Sequence, residues 1–164
     1  MQDWKEKTCC FTGHRELIAE ELADLQEQLE LEIIRHVQNG ICCFGAGGAR
    51  GFDMLAELTV LRVKLLYPQI RLILVLPCRD QDKSWSETER AIYSYILKRA
   101  DKIVCLSEHY FPGCMNRRNR HLVNGSSACI CYLTKNTGGT RYTVNYALSK
   151  NLQVINLAEA VSLQ

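Results

Sequence analysis

At 164 residues, with 20 lysines and arginines against 18 aspartates and glutamates, the chain carries a formal charge of +2, too balanced to mark a nucleic-acid or membrane-surface protein by charge alone. A chain of this length buries roughly two-thirds of its unfolded surface, so a single domain over 1–164 is expected, needing no metal, cofactor or disulfide staple. The opening MQDWKEKTCCF lacks the apolar stretch of a signal peptide, and no run of about 18 uncharged apolar residues follows; a cytoplasmic protein with no membrane partner is expected.

The nine cysteines are odd in number. Cys9-Cys10, Cys42-Cys43, Cys105, Cys129 and Cys131 sit in β-like apolar runs, where they read as small buried residues of a reducing compartment. Cys105, His109, Cys114 and His121 form a C-x3-H-x4-C-x6-H series, but no C-x-x-C pair anchors it, so no metal is expected.

Short apolar runs alternate with helical patterns, the sequence form of repeated βα units. The first strand is expected at 8–12 (TCCFT). A helix over 16–38 follows, with Ile18, Leu22, Leu25, Leu29 and Ile33 on one stripe and Asn39-Gly40 as its stop. His36, near its end, suits the helix dipole. The strand at 41–45 (ICCFG) leads through a glycine loop into a helix over 52–66. That helix is apolar nearly all round, so it is expected to be well buried, with part of its surface free for a homodimer contact. The strand at 70–76 (IRLILVL) precedes a helix that starts after Ser84 or Ser86, where Ser86-x-x-Glu89 matches a capping box. A strand at 102–106, a helix from Arg117 to Val123, a strand at 128–133, a helix from about Thr140 to Ser149 and a strand at 152–157 complete the order. The expected fold is α/β: a Rossmann-like, doubly wound, mostly parallel sheet of about six strands with helices on both faces.

In such sheets ligands bind outside the carboxyl ends of the strands. Six of the ten glycines fall in two of the loops there, Gly45-Ala46-Gly47-Gly48-Ala49-Arg50-Gly51 before Asp53 and Thr137-Gly138-Gly139-Thr140. Glycine permits positive φ and close backbone approach, and the N–H groups and dipole of the following helix favour an anion. Gly47, Gly48, Gly51, Gly138, Gly139 and Thr140 are therefore candidate phosphate binders. Gly13, His14 and Arg15 join them at the end of the first strand. Arg118 and Asn119 are the candidate side-chain clamp, since residues one or two apart on a helix do not share a face and Arg117 and Arg120 cannot both join them. Trp85 and Tyr110, aromatic residues in expected loops, are candidates for base stacking. His109 and His121 have no assigned role. Asp53 has two readings, a bond to a ribose hydroxyl or a cap on nearby backbone N–H groups, with general base as a weaker third.

Thr12-Gly13-His14-Arg15, Gly47-Gly48-Ala49-Arg50-Gly51-Phe52-Asp53, Pro77-Cys78 with Gln81 and Trp85, Arg118-Asn119-Arg120, and Gly138-Gly139-Thr140 with Tyr146-Ala147 span nearly the whole chain. Together they resemble the SLOG superfamily, most closely its YpsA/YoqJ-like branch. The resemblance implies a Rossmann-like fold and a nucleotide-type ligand such as ADP-ribose, NAD or a nucleoside monophosphate. It brings two precedents. DNA-processing protein A has a similar G-x-A-x-G-[IF]-D loop and R-N-R segment and binds single-stranded DNA. The lonely-guy phosphoribohydrolases hold a nucleotide monophosphate on a similar Gly-Gly loop and cleave its N-glycosidic bond.

That second chemistry uses a P-G-G-x-G-T-x-E-E pattern, and here Val144 and Asn145 stand where the glutamates would fall. An amide cannot move a proton or stabilise an oxocarbenium ion as a carboxylate does. Binding or sensing of a nucleotide derivative is thus the leading expectation, with an N-glycosidic hydrolase using Asp53 or Glu57 second. Single-stranded nucleic-acid binding is third.

Overall fold

The short apolar runs become six strands of one parallel sheet. The computed structural model describes residues 3–162. Its strands are β1 (Thr8–Gly13), β2 (Cys43–Ala46), β3 (Arg71–Leu76), β4 (Lys102–Cys105), β5 (Ala128–Tyr132) and β6 (Gln153–Asn156), in the order β4-β3-β2-β1-β5-β6. Cys9 of β1 pairs with Phe44 on one side and Ala128 on the other, so β1 is central.

Because side chains alternate across a strand, the two halves of each strand sequence feed two cores. Cys9, Phe11, Phe44, Leu72, Leu74 and Ile130 face one layer; Cys10, Val75, Cys129 and Cys131 face the other. The first layer packs against α1 (Leu22–Gln38), α2 (Phe52–Lys64), α3 (Glu87–Arg99) and α6 (Leu157–Ser162), the second against α4 (Cys114–Asn124) and α5 (Gly139–Ser149). Doubled cysteines are thus small residues shared between opposite faces. Two depart from expectation: Cys105 is exposed and Cys42 half-buried, because β4 is an edge strand and Cys42 precedes β2.

The direction of winding reverses between β1 and β5. The chain leaves β1 toward α1 on one face and leaves β5 toward α5 on the other, so their carboxyl ends open a crevice.

Several boundaries differ from the sequence expectation. The first helix begins at Leu22, after a single 3-10 turn at Ala19–Glu21, rather than at 16. Residues 14–18 instead cross the start of α2: Phe52 N–H donates to His14 O at 3.0 Å, and the bare Gly51 leaves space filled by the Arg15 backbone. Ile18 and Leu22 are accordingly exposed, while Leu25, Leu29 and Ile33 form the buried stripe. The second helix is buried along one side, but Leu65 and Leu66 beyond its end are exposed. Ser86 caps α3 with the reciprocal Glu89 bond that the sequence suggests. α4 begins three residues early, at Cys114, and α6 was not expected at all. No helix among the described residues is long and apolar enough to cross a membrane.

Leu29→Ala, at a fully buried site, is expected to cost about 2–5 kcal/mol in chemical denaturation. Leu65→Ala, with 82% of that residue exposed, should change stability by less than about 0.5 kcal/mol.

Candidate functional site

At the reversal point lies a cleft of about 370 Å³, floored by the ends of β1 and β5 and walled by α4 and the start of α5. Thr12, Gly13, His14 and Arg15 line it from β1, and Lys135, Thr137, Gly138, Gly139 and Thr140 from the loop after β5. Asn116, Arg118 and Asn119 face it from α4, and Ala49 and Asp53 from the start of α2. Of the residues expected from sequence at a binding site, nine converge here: Gly13, His14, Arg15, Asp53, Arg118, Asn119, Gly138, Gly139 and Thr140.

Gly13 is set by packing, since any Cβ there would enter the Phe52 ring. His14 ties the two loops together: its Nε2 accepts the Thr134 N–H at 2.9 Å. An accepting Nε2 belongs to the neutral ring, and burial, helped by the Lys135 charge, lowers the His14 pKa and favours that form. His14 therefore acts as a tether whose remaining donor is Nδ1–H.

α5 opens directly onto the cleft. Gly138, at φ 98°, turns the chain into the helix, and no side chain caps it. Its first N–H groups and dipole point toward solvent where an anion can meet them. Nothing lies within 4 Å of where a Gly139 Cβ would stand, so the protein's own packing does not demand glycine there. Lys135, three residues ahead of the pair, is exposed beside it. Sequence reading passed over Lys135, although a cation just past a strand's carboxyl end and just before a Gly-Gly turn is the available signal.

The other glycine loop is built differently. Gly47, Gly48 and Gly51 do not line the cleft, and their surroundings explain why. A Cβ on Gly47 would strike the Arg118 guanidinium, which donates to Gly47 O. Gly48 N–H donates to Glu57 Oε2 at 2.9 Å and Ala49 N–H to Asp53 Oδ2 at 3.3 Å. Gln81 Nε2 reaches Gly47 O at 3.4 Å. The loop's amides are thus already occupied by carboxylates from α2. Gly48 and Gly51 have φ of 70° and 77°, and Gly51 also makes room for the Arg15 backbone.

This leaves a buried cluster of one guanidinium and two carboxyl groups. Arg118, Asp53 and Glu57 are 4%, 7% and 0% exposed. Burial raises the Asp53 pKa against the opposing pull of Arg118 and the Ala49 N–H. Burial holds Glu57 well above the ordinary carboxylate range, and the neighbouring Asp53 charge adds to it. Burial also lowers the Arg118 pKa, with Asp53 and Glu57 pulling it back up. Of the two carboxyls, Glu57 is thus the one whose neutral form burial favours more strongly. Arg118 Nε also fixes Asn119, donating to its Oδ1 at 2.7 Å and leaving the Asn119 Nδ2 donors for the cleft.

The remaining arginines of the run point elsewhere. Arg117 lies over Phe111 at 5.9 Å, and Arg120 donates to Tyr142 O–H at 2.9 Å. Trp85 and Tyr110 line a second chamber of about 170 Å³ next to the cleft. Cys105, His109, Cys114 and His121 do not gather, and no group of three or more His, Cys, Asp or Glu suited to a metal exists among the described residues. His36 Nδ1–H donates to Glu32 O, 2.8 Å away, and the same nitrogen lies 3.4 Å from the Glu32 carboxylate.

Comparison with known proteins agrees with the motifs. The sequence model of the YspA SLOG family matches residues 10–159. The SPbeta prophage-derived protein YoqJ of Bacillus subtilis (strain 168) is 31% identical over 116 residues, covering 63% of this chain and 68% of YoqJ. A UPF0398 protein of Brevibacillus brevis is 25% identical over 132 residues, covering 79% of this chain and 70% of its own. Among solved structures, DNA processing protein A from Helicobacter pylori, described for its single-stranded DNA binding mode, superposes with a TM-score of 0.64 at 19% identity, over 92% of this chain and 64% of that one. The Streptococcus pneumoniae DNA processing protein A gives 0.67 at 17% identity, over 92% and 50%. The present chain thus spans between half and two-thirds of those two proteins, and the likeness is one of fold.

The raised Glu57 pKa makes a pH prediction. A carboxyl whose folded pKa exceeds its ordinary value of 4.5 binds a proton in the folded state that the unfolded chain has lost, so its contribution to stability falls as pH rises from there. Glu57→Gln keeps an acceptor for Gly48 N–H and removes the titration. Its stability relative to the parent should therefore rise between about pH 5 and pH 8 in urea unfolding. A relative stability that falls over that range would mean Glu57 is an ionised partner of Arg118.

Proposed function

The chain belongs to the YspA SLOG family, and on that footing we propose that it binds a nucleotide derivative in the cleft between the ends of β1 and β5. The phosphate sits on the uncapped start of α5, with Lys135 and Arg15 as its cations. The sugar and base lie toward Asp53, Asn116 and Asn119. One observation carries this reading: α5 opens uncapped onto the cleft at Gly138-Gly139, where glycine is not required by the protein's own packing. The cleft, at about 370 Å³, is near the lower end of the ~300–1,000 Å³ typical of ligand sites, a size suited to a nucleoside monophosphate unit. ADP-ribose and NAD contain that unit.

Hydrolysis of the N-glycosidic bond is less well supported. Val144 is buried in the core and Asn145 is exposed outside the cleft, which leaves Asp53 and Glu16 as the carboxyl groups lining it. Single-stranded nucleic-acid binding draws on the likeness to DNA processing protein A. Its signature is an affinity that falls linearly and steeply in log–log with salt.

Calorimetry and thermal-shift titrations with AMP, ADP-ribose and NAD test the proposal. Binding is expected, with Lys135→Ala weakening it roughly tenfold, the worth of a charge-assisted hydrogen bond. Gly139→Ala should leave the melting temperature of the free protein nearly unchanged, since nothing packs against that position, yet weaken the ligand by blocking close approach. No stabilisation by any of the three at millimolar concentration refutes the reading.

A further inference from the structure

Both α2 and α3 run back from the carboxyl edge, so their last turns meet at the opposite edge of the sheet from the cleft. A groove of about 640 Å³ opens between them there, larger than the cleft and sharing no residue with it. Its floor is apolar. Leu58, Leu61 and Leu65 stand at i, i+3 and i+7 on one side, a stripe two helical turns long that ends on the helical C-cap of α2, and Tyr95 of α3 lines the other side. Leu58, Leu65 and Tyr95 are exposed, and Leu66, next to Leu65 in the chain, is 71% exposed. Single exposed leucines are ordinary on a protein surface, but a concave cluster of apolar side chains marks a place where another apolar surface is received.

The rim of the groove has one sign. Arg62, Lys64 and Arg99 line it and no carboxylate among the described residues does, although the whole chain is nearly neutral at +2. Lys64 is neutralised by Asp101 at 2.6 Å. Arg62 meets Glu30 only at 3.9 Å, and Arg99 sits over the Tyr95 ring, 3.6 Å from its centroid, with one nitrogen on Tyr95 O. Basic residues near a helix end suit its dipole, yet both guanidinium groups keep donors for carboxylates from outside.

These two features select the occupant. A second copy docking by the same face would set Arg62 and Arg99 against their own images, because a twofold contact pairs each patch with itself and opposed like charges are costly. A two-turn apolar stripe between two helices matches the i, i+3 or i+4, i+7 anchors of a third helix, ~10 Å along its axis. We propose that the groove between the ends of α2 and α3 is a docking site for an acidic amphipathic helix of another protein, whose apolar stripe covers Leu58, Leu61 and Leu65 and whose carboxylates meet Arg62 and Arg99. This site is independent of the nucleotide cleft at the other edge.

Two synthetic helical peptides about four turns long test it, each with one leucine stripe. One carries glutamates beside the stripe and the other lysines in their place. Fluorescence anisotropy with the full chain at low salt is expected to show the glutamate peptide bound at least tenfold more tightly than the lysine peptide. Arg62→Glu with Arg99→Glu, both at exposed positions, should reverse that order. Leu65→Ser, at an exposed residue, should weaken the glutamate peptide about tenfold while leaving the melting temperature and the response to AMP unchanged. Equal affinities, no binding of either peptide, or a preference that survives the charge reversal overturns the docking site. So does a Leu65-dependent dimer in sedimentation equilibrium, or cosedimentation with phosphatidylserine vesicles under conditions where the glutamate peptide stays free.

Discussion

Arg118 reaches over the carboxyl edge of the sheet from α4, on one face, to Gly47 O in the loop that leads into α2, on the other, within the field of Asp53 and Glu57. A guanidinium 4% exposed is tolerable only when its charge and donors are met; removing a partner from such a cluster costs about 3–5 kcal/mol. Its acceptors are Gly47 O and Asn119 Oδ1, with Met115 Sδ at 3.7 Å. The Arg118 bond to Gly47 O ties α4 to the loop that leads into α2 above the sheet.

The same constraint decides which loop is left open to solvent. Asp53 and Glu57 already accept the amides of Ala49 and Gly48, so the loop after β2 is turned inward and closed. Its glycines serve close packing against Arg118 and Arg15. The loop after β5 has no such internal partner for the start of α5, and Gly138, Gly139 and Thr137 remain exposed. Two glycine loops of similar appearance thus differ: one holds the protein's own charges, and the other is left uncapped and exposed. Exposed Arg15 connects them, touching the first loop with its backbone and lining the cleft and the chamber.

Much of the fold was legible in the sequence because period and punctuation agreed. Runs such as IRLILVL and ACICYL are continuous because helices cover both faces, and Ser86 with Glu89 carries a helix start in four residues. Residues 16–18 read as the start of the first helix, whereas what holds the 14–18 segment is the Gly51 surface and the His14 O bond to Phe52, contacts 36 and 38 residues away along the chain that no local pattern encodes. The crevice at the carboxyl edge was legible because topology dictates it. The roles of Gly47 and Arg118 were not legible, because a buried guanidinium beside a glycine has the same letters as an exposed phosphate clamp. Glu57 offered a clue, a charge one turn from Asp53 on an otherwise apolar helix.

The division of labour between the two glycine loops is tested most directly by following backbone amides in ¹H–¹⁵N correlation spectra during titration with AMP. The largest shifts should fall on Gly138, Gly139 and Thr140, with Gly48 and Ala49 nearly still because their N–H groups remain on Glu57 and Asp53. Largest shifts at Gly47, Gly48 and Gly51, with the start of α5 unmoved, would contradict it.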